Sequence, residues 1–211
     1  MCGRYYIDDE TAQEIEKLVR KISDKMMKKG DVHPADQTMV IHKGTWSDIH
    51  GGTQNGDHNG IHNEVQNLSV SDMAWGFPGF EKQKLLINAR SETVMEKAAF
   101  KSSFQERRCI IPATGYYEWD KSKNKVQFER EDRNIIYMAG IWKPFEEKER
   151  FVILTTAANE SVSPVHDRMP LILEENEWEK WILEDSFCEY AAHKIPVELK
   201  SIRPYEQMRL F

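Results

Sequence analysis

A cysteine directly behind an initiator methionine becomes a terminal 1,2-aminothiol once an aminopeptidase removes Met1, and the small side chain of Cys2 favours that removal. An α-amine has a pKa of roughly 7.7–8.0, against about 10.4 for lysine, so far more of it is free base at neutral pH. Such an amine adds to an aldehyde to give a Schiff base. The thiol on the same residue can then close a five-membered thiazolidine, an intramolecular step with a high effective concentration. Position alone leaves a plainer alternative open, in which Cys2 is an ordinary cysteine that happens to stand second.

Other residues could supply the proton transfers. Glu118 lies between Tyr117 and Trp119, and a carboxyl desolvated by aromatic neighbours has a raised pKa that suits a proton shuttle. His166, before Asp167 and Arg168, carries an imidazole that titrates near pH ~6.5, although a lone histidine is more often structural. Asn88 offers both a donor and an acceptor. Arg90 would share its face if this segment is a strand. Arg4 stands close to Cys2 in sequence, and for both arginines a surface salt bridge is the competing reading. Trp75, Phe77 and Trp119 could stack on bases or simply pack into a core.

These residues need elements to carry them. An amphipathic helix is expected over residues 9–29, with Ile15, Leu18, Val19, Ile22 and Met26 on one stripe. Thr11-x-x-Glu14 resembles its capping box and Gly30 its stop. Further helices are expected from Ser91 to about Phe104 and from about Glu175 to Leu183. Strand-like runs occupy Cys109–Ala113, Val126–Arg130, Ile135–Trp142, Phe151–Thr156 and Leu171–Leu173. With strands in the middle, helices flanking and no regular βαβ alternation, the fold class is α+β. Its sheet should be mainly antiparallel and could close into a barrel. One domain over 1–211 suits the length.

The polar Gly51–Asn63 stretch reads as an exposed loop insertion. Its neighbour His50, with His58 and His62, invites a metal, but no cysteine or carboxylate framework fixes a geometry there. The net charge of −6 gives no global attraction to nucleic acid, so any such contact must be local. Three widely spaced cysteines, Cys2, Cys109 and Cys188, argue against a disulfide framework and for a reducing compartment. Cys109, in an apolar run, reads as a small buried hydrophobe. Without an apolar leader or a membrane-length run, the cytoplasm is the expected location.

Four separated segments combine polar and aromatic residues in an order that a plain core does not require. They are Met1-Cys2-Gly3-Arg4, Asn88-Ala89-Arg90-Ser91-Glu92, Arg107-Arg108-Cys109-Ile110-Ile111-Pro112-Ala113 continuing into Gly115-Tyr116-Tyr117-Glu118-Trp119, and His166-Asp167-Arg168-Met169-Pro170. Together they resemble the SRAP family, the SOS response-associated peptidases or abasic-site processing proteins. Thr155-Thr156-Ala157-Ala158-Asn159 and Trp75-Gly76-Phe77-Pro78 match as well, and the likeness spans Cys2 to Leu173. Two departures stand out: the Gly/His-rich stretch before Trp75, and a shortened form of the family's Trp-Gly-Leu-x-Pro-x-Trp at Trp75.

The resemblance implies that processed Cys2 bonds covalently to the aldehyde of an abasic site in single-stranded DNA, with lyase and self-processing peptidase capacity. It implies Glu118 as the acid/base residue and His166 as the group that protonates the opening sugar ring or holds a phosphate. Asn88 would orient the terminus and sugar, with Arg90 and Arg4 on phosphates. Pro34 would line the abasic pocket and Thr155 would bring a hydroxyl near it. Asp167 and Arg168 read as structural pairing residues. No metal or cofactor is implied, since amine, thiol, carboxyl and imidazole suffice, and the protein is expected to act as a monomer. Two alternatives remain in view: a non-catalytic reader of single-stranded or modified DNA, and an N-terminal-nucleophile cysteine peptidase or amidotransferase.

Overall fold

The structure, a computed structural model, describes residues 2–19, 29–44, 67–79, 84–146 and 148–203. From the N-terminus run β1 (Tyr5–Ile7), α1 (Asp9–Val19), β2 (Gly30–Val32), β3 (Gln37–Lys43), β4 (Leu68–Trp75), β5 (Phe77–Pro78), β6 (Leu85–Leu86) and β7 (Asn88–Arg90). A 3-10 helix at Ser91–Glu96 and α2 (Lys101–Glu106) lead into β8 (Arg108–Ala113), β9 (Gly115–Trp119), β10 (Lys125–Glu129), β11 (Ile136–Pro144) and β12 (Glu149–Ala157). Then follow β13 (Arg168–Pro170), β14 (Ile172–Leu173), α3 (Trp178–Leu183), α4 (Asp185–Ala192) and β15 (Lys200–Ile202).

The pairings of the larger sheet close on themselves, running β3–β4–β12–β11–β8 and back to β3. All are antiparallel except β12 with β4, and β7 also joins β12 in parallel. The α+β class and the mainly antiparallel, barrel-like sheet are therefore as expected. Every residue of β8 is buried, as befits a strand covered on both faces rather than one. Its outer cover is the helical layer: Trp181 on α3 donates its indole N–H to Cys109 O at 3.1 Å and meets Phe104 edge-on at 5.6 Å.

Arg108 locks that layer in place. Its guanidinium is buried and donates to Trp181 O at 2.6 Å, Phe104 O at 3.1 Å, Gln105 O at 2.8 Å, Ile182 O at 3.5 Å and Asp185 Oδ1 at 2.6 Å. The backbone carbonyls close the last turns of α2 and α3, where intrahelical partners run out. Asp185 is mostly solvated, so its ion pair contributes little and the carbonyls matter more. Arg108→Met should lower unfolding free energy by about 3–5 kcal/mol, because it leaves several enclosed carbonyls without a donor at about 1–3 kcal/mol each. Urea denaturation checks this, and a loss below about 1 kcal/mol would mean that water reaches the carbonyls.

A second, five-stranded sheet, ordered β15–β10–β9–β1–β2, is antiparallel throughout. The chain passes from the barrel into it through one residue, Thr114. That residue donates its N–H to Tyr6 O at 3.0 Å and accepts from Asp8 N–H on its hydroxyl at 2.9 Å. Gly115 must follow, because a β-carbon there would stand 2.3 Å from Phe128 O and 2.8 Å from the Tyr6 ring. This tight corner carries β9, and with it Glu118, alongside the N-terminal strand.

Some elements differ from expectation. Asp8, not Thr11, caps α1: Asp8 Oδ1 accepts from Thr11 N–H at 2.8 Å, and Thr11 is buried one turn inside. The remainder of the expected first helix, residues 20–28, lies outside the described residues, as does the 51–63 loop with His50, His58 and His62. The second helix splits into the 3-10 helix and α2, with Lys97 in extended backbone between them. The third starts at Trp178 after a turn, and α4 follows it unanticipated. All three cysteines are free and buried. Among the described residues, no helix is long and apolar enough to cross a membrane.

Candidate active site

Strand β1 runs antiparallel to β9 with Tyr5 opposite Tyr116 and Tyr6 opposite Gly115. Tyr117 N–H also donates to Arg4 O at 2.9 Å, which extends the ladder toward the N-terminus and brings Cys2 beside the end of β9. Alternation along β9 puts Tyr116 and Glu118 on its buried face and Tyr117 and Trp119 on the other. Cys2 is fully buried. Asn88, delivered by β7 beside β12, donates its Nδ2–H to Cys2 O at 2.8 Å. Its other amide atom, the acceptor Oδ1, is buried with no donor bonded to it among the described residues.

Glu118 is 3% exposed. Burial pushes its carboxyl above the usual range, and His166 is near enough that its charge pulls the other way. The Cys2 thiol is pushed up as well, first by burial and then by the charge of Glu118. These mutual effects place Cys2, Glu118 and His166 in one electrostatic cluster. They also keep the thiol protonated, so a thiolate is not the group this site presents first.

His166 comes from the loop between β12 and β13, which is closely tied. Asn159 donates Nδ2–H to Pro196 O and Val197 O, both at 3.0 Å, and Ala158 N–H reaches Asp167 O at 3.0 Å. Imidazole Nδ1 accepts from Arg168 N–H at 3.0 Å, so the neutral ring carries its proton on Nε2. The same Nδ1 stands 3.0 Å from Asp167 Oδ1, a ready acceptor when the ring is protonated. Asp167 and Arg168 do pair, but not with each other: Arg168 grips Glu92 through two bonds of 2.7 and 2.8 Å and donates to Thr155 O at 2.5 Å.

At the rim, Arg4 is 3.6 Å from Asp31 and sits over the Trp119 ring at 5.5 Å. Trp119 is 38% exposed, which leaves it surface to offer a ligand. Arg90 is exposed at the end of β7. Pro34 occupies a turn in which Asp36 N–H returns to His33 O at 3.0 Å while Ala35 adopts φ +75°. The turn is fastened to Trp75 by bonds of 2.9 and 3.0 Å.

Three residues expected to meet DNA lie inside instead. Trp75 is fully buried, donating Nε1–H to Ile87 O at 2.9 Å and packing on Tyr5 and Phe151. Phe77 is 2% exposed and belongs to an aromatic cluster with Phe100 and Phe145. Thr155 is fully buried beneath Ala89, its hydroxyl 3.4 Å from Ala89 O. Neither ring offers a face to a base, and Thr155 supports β7 from below. Sequence reasoning also missed Tyr5 and Tyr116, two phenols beside Cys2 whose ionisation is opposed chiefly by burial. The alternation in Gly115-Tyr116-Tyr117-Glu118 was the available signal for Tyr116.

The chain is similar to known proteins over most of its length. The family model described as SOS response associated peptidase (SRAP) matches residues 1–208. The abasic site processing protein YoqW of Bacillus subtilis is 28% identical over 196 residues, covering 86% of this chain and 80% of its own. The abasic site processing protein YedK of Escherichia coli is 37% identical over 128 residues, 57% of this chain and 58% of its own. A crystal structure of a Bordetella bronchiseptica protein superposes with a TM-score of 0.72 at 20% identity, covering 96% of this chain and 99% of that one, which supports the fold alone.

Proposed function

Because the chain belongs to the SOS response associated peptidase family, we propose that it processes abasic sites in single-stranded DNA through a covalent bond to processed Cys2. The observation that carries this is the enclosed cluster of Cys2, Glu118 and His166, with Asn88 holding the Cys2 carbonyl. An amine, a thiol, a carboxyl of raised pKa and an imidazole at one point are the set that aldehyde capture requires.

The abasic sugar must first open, and His166 Nε2–H faces that task as donor to the ring oxygen. The Cys2 α-amine then adds to the C1′ aldehyde. Glu118 removes a proton from nitrogen and returns one to the departing hydroxyl, which leaves as water and yields the Schiff base. Addition of S–H across the C1′=N bond closes the thiazolidine, which completes the crosslink without any metal or cofactor in the sequence of steps. Elimination from the open Schiff base gives the lyase outcome, and the same groups give self-processing at the N-terminus. The amide oxygen of Asn88 is free to accept from the amine or a sugar hydroxyl.

Arg4, Arg90 and the exposed ring of Trp119 would make the DNA contacts, and Pro34 would line the abasic pocket. With a net charge of −6, attraction is local. For two phosphate contacts on a single strand, the logarithm of affinity should fall with that of salt at a slope of about −1.4. Single strands should outcompete continuous duplex. Incubation with an abasic oligonucleotide and denaturing electrophoresis tests the function itself. A covalent band supports it, whereas binding without one points to a non-catalytic reader. Equal competition by intact duplex would remove the single-strand preference.

A further inference from the structure

Two enclosed phenols near Cys2, Tyr5 and Tyr116, have no part in the steps above. Tyr116 is fully buried, and its hydroxyl has no hydrogen-bond partner among the described residues. Packing rather than bonding fixes its place: the ring stacks on Phe128 at 5.3 Å and 19°, and the backbone is paired with Tyr5. It shares the inward face of β9 with Glu118, two residues on. Burial first, and then the neighbouring Cys2 and Glu118, opposes ionisation of the phenol, so it remains a hydrogen-bond donor. The Tyr5 hydroxyl, near Cys2 as well, is likewise buried without a full hydrogen bond, but it has the polar Thr38 hydroxyl close by, whereas among the described residues no polar side chain approaches that of Tyr116 in the same way.

An enclosed donor without a partner lowers stability, and phenylalanine would fill the same space without that cost. Such groups persist where function uses them. The site contains one moment that needs a donor there. As the thiazolidine closes, negative charge gathers on sulfur in surroundings that oppose it.

Building on the reading above, we infer that Tyr116 is a catalytic residue that donates its hydroxyl hydrogen bond to the Cys2 sulfur during ring closure. In that step the sulfur–C1′ bond forms, the C1′=N π electrons move to nitrogen, and the proton leaving sulfur ends on that nitrogen by way of Glu118. The phenol keeps its own proton, and no other reactant takes part. A donor already held by Phe128 stabilises the developing charge without reorganising. The hydroxyl thereby sets how much Schiff base closes and how much stays open to elimination.

The test compares Tyr116→Phe with wild type and Tyr5→Phe on one abasic oligonucleotide, reading heat-stable crosslink against borohydride-trapped Schiff base. The ratio should fall about tenfold in Tyr116→Phe and far less in Tyr5→Phe. Thermal midpoints should be unchanged or higher, which excludes damage to the fold. An unchanged ratio, or an equal loss of both products, overturns the assignment. Wild type that gives neither product overturns the proposed function instead. In that event iodoacetamide labelling of Cys2 across pH, without DNA, still decides on the phenol. If Tyr116 donates to sulfur, the Tyr116→Phe thiol is alkylated several-fold more slowly than wild type at each pH, and identical rates refute the contact.

Discussion

Retaining Met1, or adding any N-terminal tag, is expected to abolish both the borohydride-trapped Schiff base and the heat-stable crosslink, even though the Cys2 thiol remains. Untagged Cys2→Ser should behave oppositely, keeping a reversible, trappable Schiff base and losing only the stable product. The reason lies in the site's electrostatics. Burial and the charge of Glu118 hold the thiol protonated, whereas a terminal α-amine, with a pKa of roughly 7.7–8.0, is substantially free base at neutral pH. The amine therefore attacks first and the sulfur only closes the ring. A thiolate nucleophile, as in a cysteine peptidase, would reverse the order of damage, tolerating the tag better than the serine. Both proteins, with and without borohydride, on one abasic oligonucleotide decide the matter. A heat-resistant crosslink from the tagged protein would show that the α-amine is dispensable, and the proposed chemistry would be wrong.

The fold class was legible because strand signals here are unusually plain. The runs at Cys109–Ala113, Ile135–Trp142 and Phe151–Thr156 are apolar at successive positions, the mark of strands covered on both faces. All three belong to the barrel. Short strands such as β1 and β7 gave no such signal, because each takes only three residues and gains its order from neighbours. Local grammar misled at α1, where Thr11 and Glu14 match a capping box yet Asp8 stands closer to the first turn and takes the free N–H. The helix expected from Ser91 onward failed for a related reason. Its 3-10 helix is held by tertiary bonds, notably Ser91 Oγ to Ala192 O at 2.7 Å, which no local pattern announces.

At the site, what sequence could supply were residue types, and what it could not supply was burial. Trp75 and Trp119 carry the same indole, but one is enclosed by Tyr5 and Phe151 and the other lies on the outer face of β9. Only the three-dimensional register separates them. Arg168 shows the same limit. Its neighbours in the chain suggested a local pairing, whereas its guanidinium reaches Glu92, 76 residues away, and the carbonyl of Thr155. That grip fixes the start of β13 and so the height of His166 two residues earlier. Alternation along β9, by contrast, was readable: Tyr116 and Glu118 had to face one way and Tyr117 and Trp119 the other.

Glu118→Gln is expected to slow Schiff-base formation and its reversal by about 100-fold, within the usual range for loss of a positioned acid/base group. Noncovalent affinity for single strands should hardly change, since Arg4, Arg90 and Trp119 remain. The pH profile should change in kind. As a base Glu118 must be ionised, so the wild-type rate rises with pH through its raised pKa and again as the α-amine loses its proton. The variant should keep only the second rise. Stability should move the other way. A carboxyl whose folded pKa lies above its unfolded value binds more protons in the native state, so native stability falls as pH climbs from the unfolded pKa to the raised one. Above that raised pKa the wild type therefore carries the cost of a buried carboxylate. Glutamine removes the charge while keeping the shape. Urea midpoints for Glu118→Gln should accordingly exceed wild type at pH 7–8 and converge with it near pH ~4, below the unfolded glutamate pKa of about 4.3. A stabilised protein with slow crosslinking identifies a group retained for chemistry at the expense of the fold. Unchanged crosslinking rates would remove Glu118 from the mechanism, and a variant less stable than wild type at pH 8 would show that its carboxylate is a structural partner rather than a strained one.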